Sequence, residues 1–508
     1  MPLLRTYLSR IRSLVFSSNV GSTRIGHENS VLVLGNPSAD LDSFISAVTT
    51  SYFYNLKSSN SKHAKQKTYI PILNLPTVKA TELWRLRPEF GVAIRLALGD
   101  SADAINQAKA GEQGKTAVLE DLITIADIKA DSNLSLYPLF TESSDSESGS
   151  GSSSQSIKDA EKQPLFLVDH NAPSIPGLSD KLISTRFTVA SCIDHHVDEN
   201  YVPKDATPRL ITTGIGSCTS LVIKHLRDEA LWPPYTAETT PSSSSSSSSS
   251  QVQTQALQQI SKLALAPILI DTANLKASGD KCSDTDREAV KFLESAIMTY
   301  THHHTDPTPP PPSPGVQAER ASSSSTPQGW HRDAFHSAIS TAKSNSLDLL
   351  SMQEIFDRDY KVWTERTSTG GRDVNIGISS LVRSLSWLAK HAGGIDEFLA
   401  EIESFARNPD RNLGVFGMLT RTGDGRKEVV VLAFDEAVVN GLVDEFERLS
   451  KTGEMQLQLQ DWEGDETLAR SLEQRFGRKG ECKIWYMGDT SKSRKQVGPL
   501  LREAVRGM

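Results

Sequence analysis

Apolar runs that stop abruptly at Asp, Asn or His recur along the first half of the chain. Residues 31 to 34 read as a buried strand ending at Gly35 and Asn36, with Asp40 and Asp42 close behind; the following "DSFISAVTTSYFYNL" has apolar residues at helical spacing. The runs "TYIPILNL" (68 to 75), "PLFLVDH" (164 to 170), "RFTVASCIDHH" (186 to 196) and "APILIDTANL" (266 to 275) repeat the theme, with helical stretches between them. Strands alternating with helices predict an α/β fold with a mostly parallel sheet covered on both faces and ligands bound beyond the carboxyl ends of the strands. The polar clusters fall at those ends. Ahead of the first strand, Leu4, Leu8, Ile11 and Val15 are spaced as one face of a helix that docks on the domain.

Three segments break the pattern: 141 to 156, rich in Ser; 239 to 255, with an unbroken Ser run; and 305 to 328, rich in Pro and Ser. Such compositions bury too little apolar area to offset the entropy of ordering, so disorder is expected. The first two read as surface inserts, near 141–160 and 238–255, and the third as an interdomain linker or insert over 301–330. The expected organisation is a helix or targeting segment over 1–24, a first domain over 25–300 and a smaller α/β domain over 331–508. In the latter, "RDVNIGISSL", "NLGVFGMLTR" and "EVVVLAFD" read as strands and 436 to 449 as a helix.

At 508 residues the chain exceeds one ordinary core, which agrees with two folded units. Its formal charge of −8 argues against a surface that binds nucleic acid generally, while leaving room for a local basic anion site. Cys192, Cys218, Cys282 and Cys482 lack CxxC spacing, so a reducing compartment is expected. No apolar run approaches the roughly 18 to 20 residues that span a bilayer, and a soluble, cytoplasmic protein is expected. The first 24 residues, with Arg5, Arg10, Arg12 and Arg24 and no acid, also suit a mitochondrial presequence.

The strand ends offer Asn36, Asp40 and Asp42; Asp169, His170 and Asn171; Asp194, His195 and His196; and Asp271 with Asn274. Any one Asp has a plain reading as a helix cap. Together, several carboxylates converging on one sheet edge would repel one another unless cations neutralise them. Oxygen-rich ligation with one or two imidazoles suits Mg²⁺ or Mn²⁺, and carboxylates shared between two ions are typical of phosphate hydrolases.

"GNPSADLDS", "LVDHN", "IDHH" and "IDTAN", in that order, resemble the four motifs of the DHH phosphoesterase superfamily, named for the triplet found here at 194 to 196. "RDYK" (358 to 361) and "SRKQVGPLL" (493 to 501) resemble the second domain, called DHHA2, of family II pyrophosphatases and eukaryotic exopolyphosphatases. Pyrophosphatases have Gly-His where this chain has Gly35-Asn36; Asn there resembles the exopolyphosphatases and their relative prune. The resemblance implies a parallel-sheet DHH domain and a DHHA2 domain with the active site between them. Asp40, Asp42, Asp169, His195 and Asp271 would ligate two divalent ions, with Asn36 offering an amide oxygen that admits Mg²⁺ as well as Mn²⁺ or Co²⁺. His196 would donate to the scissile phosphate as hydrogen-bond donor or general acid, and Asp194 would either orient a histidine or ligate directly.

The tail 491 to 508 has five Lys and Arg against one acid and reads alone as a solvated helix face. By the resemblance, Arg494, Lys495 and Lys361 hold phosphoryl oxygens. "GIGSCTSLVIKHL" (214 to 226) is either a loop whose N–H groups meet an anion or a tight strand-to-helix turn. His302, His303 and His304 read as a solvated loop. The implied activity is release of orthophosphate from the end of linear inorganic polyphosphate by a monomer without specific nucleic-acid or membrane partners. Alternatives are a pyrophosphatase, a hydrolase of short polyphosphates or nucleoside tetraphosphates, a phosphodiesterase, and a non-catalytic prune-like protein.

Overall fold

The computed structural model describes residues 1–16, 29–60, 67–108, 112–141, 162–233, 248–301, 330–451, 456–477 and 482–508. Strands β1 (Ser30–Leu34), β2 (Thr68–Ile72), β3 (Gln163–Val168), β4 (Phe187–Asp194) and β5 (Arg209–Ile211) form an all-parallel sheet in the order β2-β1-β3-β4-β5. Val31 to Leu34 and Leu165 to Val168 are buried throughout, as near-continuous apolar strands of a covered parallel sheet should be. The chain steps from β1 to β2 on one side and then crosses back to β3 on the other, so the ends of β1 and β3 flank the crevice where open α/β sheets bind ligands.

The helix Leu4–Phe16 docks as its spacing predicts, burying Leu4, Leu8 and Ile11 together with Tyr7. The run 266 to 275 is not a strand. It ends the helix Ser248–Asp271, which contains Pro267 and buries Leu263, Ala264, Leu265, Ala266, Ile268 and Leu269 completely. Periodicity cannot separate a helix apolar on all sides from a buried strand, and here the helix is enclosed by other helices. Of the low-complexity segments, residues 142–156, 239–247 and 305–328 lie outside the described residues, as do His302, His303 and His304. Residues 248 to 255, expected to be disordered, open that same helix.

The second sheet runs β10 (Leu459–Asp461), β11 (Cys482–Met487), β9 (Lys427–Ala433), β8 (Val415–Arg421), β7 (Asp373–Ser380) and β6 (Tyr360–Arg366), antiparallel except for β7 beside β8. It is covered on both faces: Phe416, Met418, Val430 and Leu432 enter one core, and Val415, Leu419, Val429 and Val431 the other. The helix expected over 436 to 449 starts only at Leu442, after Gly441 with φ +108°. The helix Arg332–Asn345 packs Phe335, Ala338, Ile339 and Ala342 into the first unit's core, and the second unit's core opens at Leu347. The units are pinned by a buried ion pair, Arg358 Nη2 to Glu89 Oε2 at 2.6 Å.

Candidate active site

Asp169, immediately after β3, is the centre of the site. Its φ of +62° turns the side chain back over the sheet edge, where Oδ2 accepts from Asn36 Nδ2 and Ser43 Oγ, each at 2.6 Å. Ser43 gets that close because Gly35 has no side chain: a Cβ there would lie 2.7 Å from that of Ser43. Oδ1 of Asp169 faces the imidazoles, 3.1 Å from His195 Nε2 and 3.9 Å from His196 Nδ1.

Asn36 does not present its amide oxygen to the site. Oδ1 accepts from the Ser38 amide at 2.9 Å, which fixes the amide orientation and leaves Nδ2 to position Asp169. The expected ligand is thus an orienting donor.

Asp42 sits over the N-terminus of the helix Cys218–Asp228. Oδ1 accepts from Ser217 Oγ (2.8 Å), the Thr219 amide (2.9 Å) and Thr219 Oγ1 (2.7 Å), while Oδ2 accepts from the Cys218 amide (2.6 Å) and lies 4.0 Å from His195 Nε2. The amides of Gly216 and Ser217 donate to Asp286. Both readings of the Gly-Ser-Cys stretch therefore hold in part: its N–H groups do meet anions, and these are the chain's own carboxylates. Asp40 behaves as a cap, its Oδ1 accepting from the Ser43 amide at 3.0 Å, but its charge also faces Asp169.

Both oxygens of the fully buried Asp194 are engaged: Oδ2 with Asn171 Nδ2 at 2.6 Å, Oδ1 with His196 Nδ1 at 2.7 Å and with the His195 amide at 2.8 Å. That is an orienting carboxylate, the first of its two expected roles, and its pKa is driven far down by the histidines and Asn171 against the opposing effect of burial. His195 Nδ1 lies 3.0 Å from the Ile215 carbonyl, so that nitrogen carries the proton and Nε2 presents a lone pair. Burial first, then Lys495, pushes the His195 pKa down to about 4, and burial holds His196 well below the usual imidazole range. With Nδ1–H given to Asp194, neutral His196 also has an acceptor at Nε2; it donates there only after taking up a proton.

Burial and mutual repulsion raise the carboxylates. Asp169 and Asp42 are each pushed up to about 6, and Asp40 is raised by burial, Asp169 and Asp359. Asp271, at the end of its helix rather than of a strand, stays exposed and so open to a ligand, while the surrounding protein and the like charges of Asp42 and Asp40 raise its pKa. His195 Nε2 and Asp169 Oδ1 are two acceptors 3.1 Å apart, and His196 completes a trio whose ligand atoms lie within 4.8 Å of one another. A cation between them would satisfy both lone pairs and relieve the crowded charge, so these residues fit a metal ion.

The second unit supplies cations to this edge. Lys495 Nζ lies 3.1 Å from His195 Nε2. Arg494 donates to the Asp359 carbonyl, with Asp359, Asp40 and Asp169 as its charged neighbours. Lys361, in β6, is the largest charge lowering Asp169. The rest of the basic tail does read as an ordinary helix face: Arg502 and Arg506 pair with Glu365. Sequence reasoning missed Ser43, Ser217, Thr219 and Asp286, polar residues whose only sign was their place at helix starts beside the predicted clusters.

Family comparisons agree with this arrangement. The DHH family N-terminal domain model matches residues 30–242, and the DHHA2 domain model matches residues 337–504. The chain carries a DHH domain followed by a DHHA2 domain. Its DHH unit carries the carboxylate–histidine cluster and its DHHA2 unit Lys361, Arg494 and Lys495. Over its whole length the chain is similar to a Schizosaccharomyces pombe protein named "Putative exopolyphosphatase", 25% identical over 501 residues that cover 98% of this chain and 96% of that one. No helix among the described residues is long and apolar enough to cross a membrane.

Proposed function

We propose that this protein is an exopolyphosphatase: water adds to the terminal phosphorus of linear inorganic polyphosphate, the anhydride P–O bond breaks, and orthophosphate leaves one unit at a time. The observation that carries the reading is the meeting of Lys495 with His195, which brings DHHA2 cations to the buried carboxylates and imidazoles of the DHH unit. That combination suits a polyanion transferring a phosphoryl group. The name of the Schizosaccharomyces pombe relative supports the choice of polyphosphate.

Asp40, Asp42, Asp169, His195 and Asp271 would hold two divalent ions, Mg²⁺ or Mn²⁺ with Co²⁺ also accepted, which supply Lewis acidity and lower the pKa of the attacking water. Asn36 and Ser43 fix Asp169, and the Cys218–Asp228 helix N-terminus fixes Asp42, so these carboxylates need little reorganisation. Lys361, Arg494 and Lys495 bind the non-bridging oxygens of the terminal and next phosphates. With that negative charge beside it and Asp194 behind it, His196 takes up a proton at Nε2 and delivers it to the departing phosphate oxygen.

Orthophosphate release is measured from long-chain polyphosphate, pyrophosphate and bis-p-nitrophenyl phosphate in parallel, with Mg²⁺ and after EDTA, for wild type and His195→Ala. The expected result is metal-dependent release from polyphosphate, lost in the variant. Preference for pyrophosphate or the diester would replace this reading with the corresponding hydrolase, and no turnover at all would leave a binding protein.

A further inference from the structure

The residues after the histidine pair, 197–201, run along the surface until the chain is buried again at Val202. Their apolar side chains do not hold them there, since Val197 and Tyr201 are 62% and 63% exposed. The backbone is held instead by one buried side chain. Asn171 donates from Nδ2 to the Val197 carbonyl at 2.9 Å and accepts at Oδ1 from the Glu199 amide at 2.7 Å. Its Nδ2 also donates to Asp194 Oδ2 at 2.6 Å, so both amide protons and the oxygen are committed. Asp194 passes the constraint on, its Oδ1 accepting from His196 Nδ1 at 2.7 Å.

The far side of this loop is tied to the DHHA2 unit. Glu199 Oε2 lies 3.5 Å from Arg502 Nη1, and the charge of Arg506 also faces Glu199. Arg502 is itself held in place: Nε donates to Glu365 Oε1 at 2.5 Å, and the guanidinium lies 5.7 Å from the centroid of the Trp363 ring. Within the first unit the loop has a second anchor, Asp198 Oδ2 to Arg209 Nη2 at 2.5 Å. Arg502 belongs to the helix Arg494–Arg506 and lies about two turns, roughly 10 Å, beyond Lys495 on the same face. One rigid helix therefore touches both sides of the histidine pair. Lys495 meets His195, and Arg502 meets the loop that follows His196.

We propose that Glu199 is a positioning residue for His196, set by Arg502 of the DHHA2 unit and acting through the loop backbone, Asn171 and Asp194. The inference rests on the role given to His196 in the polyphosphate reading. With Arg502 in place, the Glu199 amide fixes which way the Asn171 amide faces, and Nδ2 must then point at Asp194. A released loop takes the donor away from Asn171 Oδ1, which frees the amide and with it the Asp194 carboxylate. The imidazole then loses the direction in which Nε2 meets the departing oxygen, and a catalytic group needs its orientation held to within about 10–20°. The seating that brings Arg494 and Lys495 to the substrate thus also aligns the acid, and proton delivery is disfavoured where the second unit is not in place.

The test compares Glu199→Gln and Glu199→Lys with wild type, each with and without His196→Gln, in the Mg²⁺-loaded enzyme on long-chain polyphosphate. Glutamine removes the attraction to Arg502, and lysine reverses it. With KM and Tm unchanged, kcat should fall about three-fold for glutamine, within the roughly five-fold (~1 kcal/mol) that a partly exposed ion pair supplies, and about ten-fold for lysine. In the His196→Gln background neither substitution should lower kcat further, because the line of contacts ends at that ring. Equal fold losses in both backgrounds, or a loss carried by KM, would overturn the proposal and leave the ion pair a plain clasp between the units. A second readout needs no turnover: proton NMR of ¹⁵N-histidine-labelled protein follows the Nδ1–H that His196 gives to Asp194, assigned by its disappearance in His196→Gln. Its exchange with water should be several-fold faster in both Glu199 variants, and an unchanged rate would also overturn the proposal. Faster exchange in a protein releasing no orthophosphate would keep the positioning role and reject the exopolyphosphatase reading; release with unchanged exchange would do the reverse.

Discussion

In the metal-free protein, Asp169→Asn should stabilise the fold. Asp169 titrates near 6 when folded against 3.8 as a free side chain, raised first by burial, so the fold holds its proton more tightly than the unfolded chain does. Its contribution to stability is complete below the unfolded value and is lost as pH rises from about 4 towards 6. The displacement of 2.2, from 3.8 to about 6, corresponds at 1.36 kcal/mol per pH unit to about 3 kcal/mol above pH 6. Asparagine removes the charge and keeps the contacts: its oxygen accepts from Asn36 and Ser43, and its amide donates to the His195 lone pair where the carboxylate opposes it. Thermal unfolding in EDTA at pH 7.5 should give a Tm higher than wild type by on the order of 5 °C, the advantage shrinking as pH falls and vanishing below about pH 4. Adding Mn²⁺ should raise the wild-type Tm and leave the variant's nearly unchanged. A lower Tm for the variant in EDTA at pH 7.5, or a difference independent of pH, would refute the charge-crowding argument.

His196→Gln should lower kcat for polyphosphate by roughly 10²–10⁴ with little change in KM, measured by steady-state orthophosphate release. Thr219→Val removes the 2.7 Å hydroxyl contact to buried Asp42, and chemical denaturation should show a loss of about 1 kcal/mol. Glu89→Ala strands the buried Arg358 guanidinium between the units and should cost about 3–5 kcal/mol, seen as a lower urea midpoint.

Strands β1 to β4 and β7 to β9 were legible because their apolar runs are bounded by turn residues, whereas β5, β6, β10 and β11 were not read as strands; β1, β3 and β4 deliver their polar ends to one edge as the pattern required. The run at 266 to 275 failed because an enclosed helix hides its period, and the Pro267 inside it does not end the helix. Asp271 nevertheless reaches the same cluster, since a helix end can deliver a carboxylate as well as a strand end can. The role of Asn36 was not legible: whether an amide offers oxygen or nitrogen depends on Ser38 and Ser43, whose hydrogen bonds exist only once the turn is folded. The pairing of Lys495 with His195 spans the two units, and no local pattern encodes it.

The helix Arg332–Asn345 gives the chain an unexpected wiring. Because it is built into the first unit's core, the covalent crossing between units is the single turn Ser346–Leu349 rather than the Pro- and Ser-rich segment before it. A tether that short keeps the DHHA2 cations at an effective concentration of order millimolar or more over the carboxylates. It also makes residues 302–329 dispensable as a physical connection. A chain cut there at an engineered protease site should stay assembled and active, because its downstream piece keeps a helix buried in the upstream one.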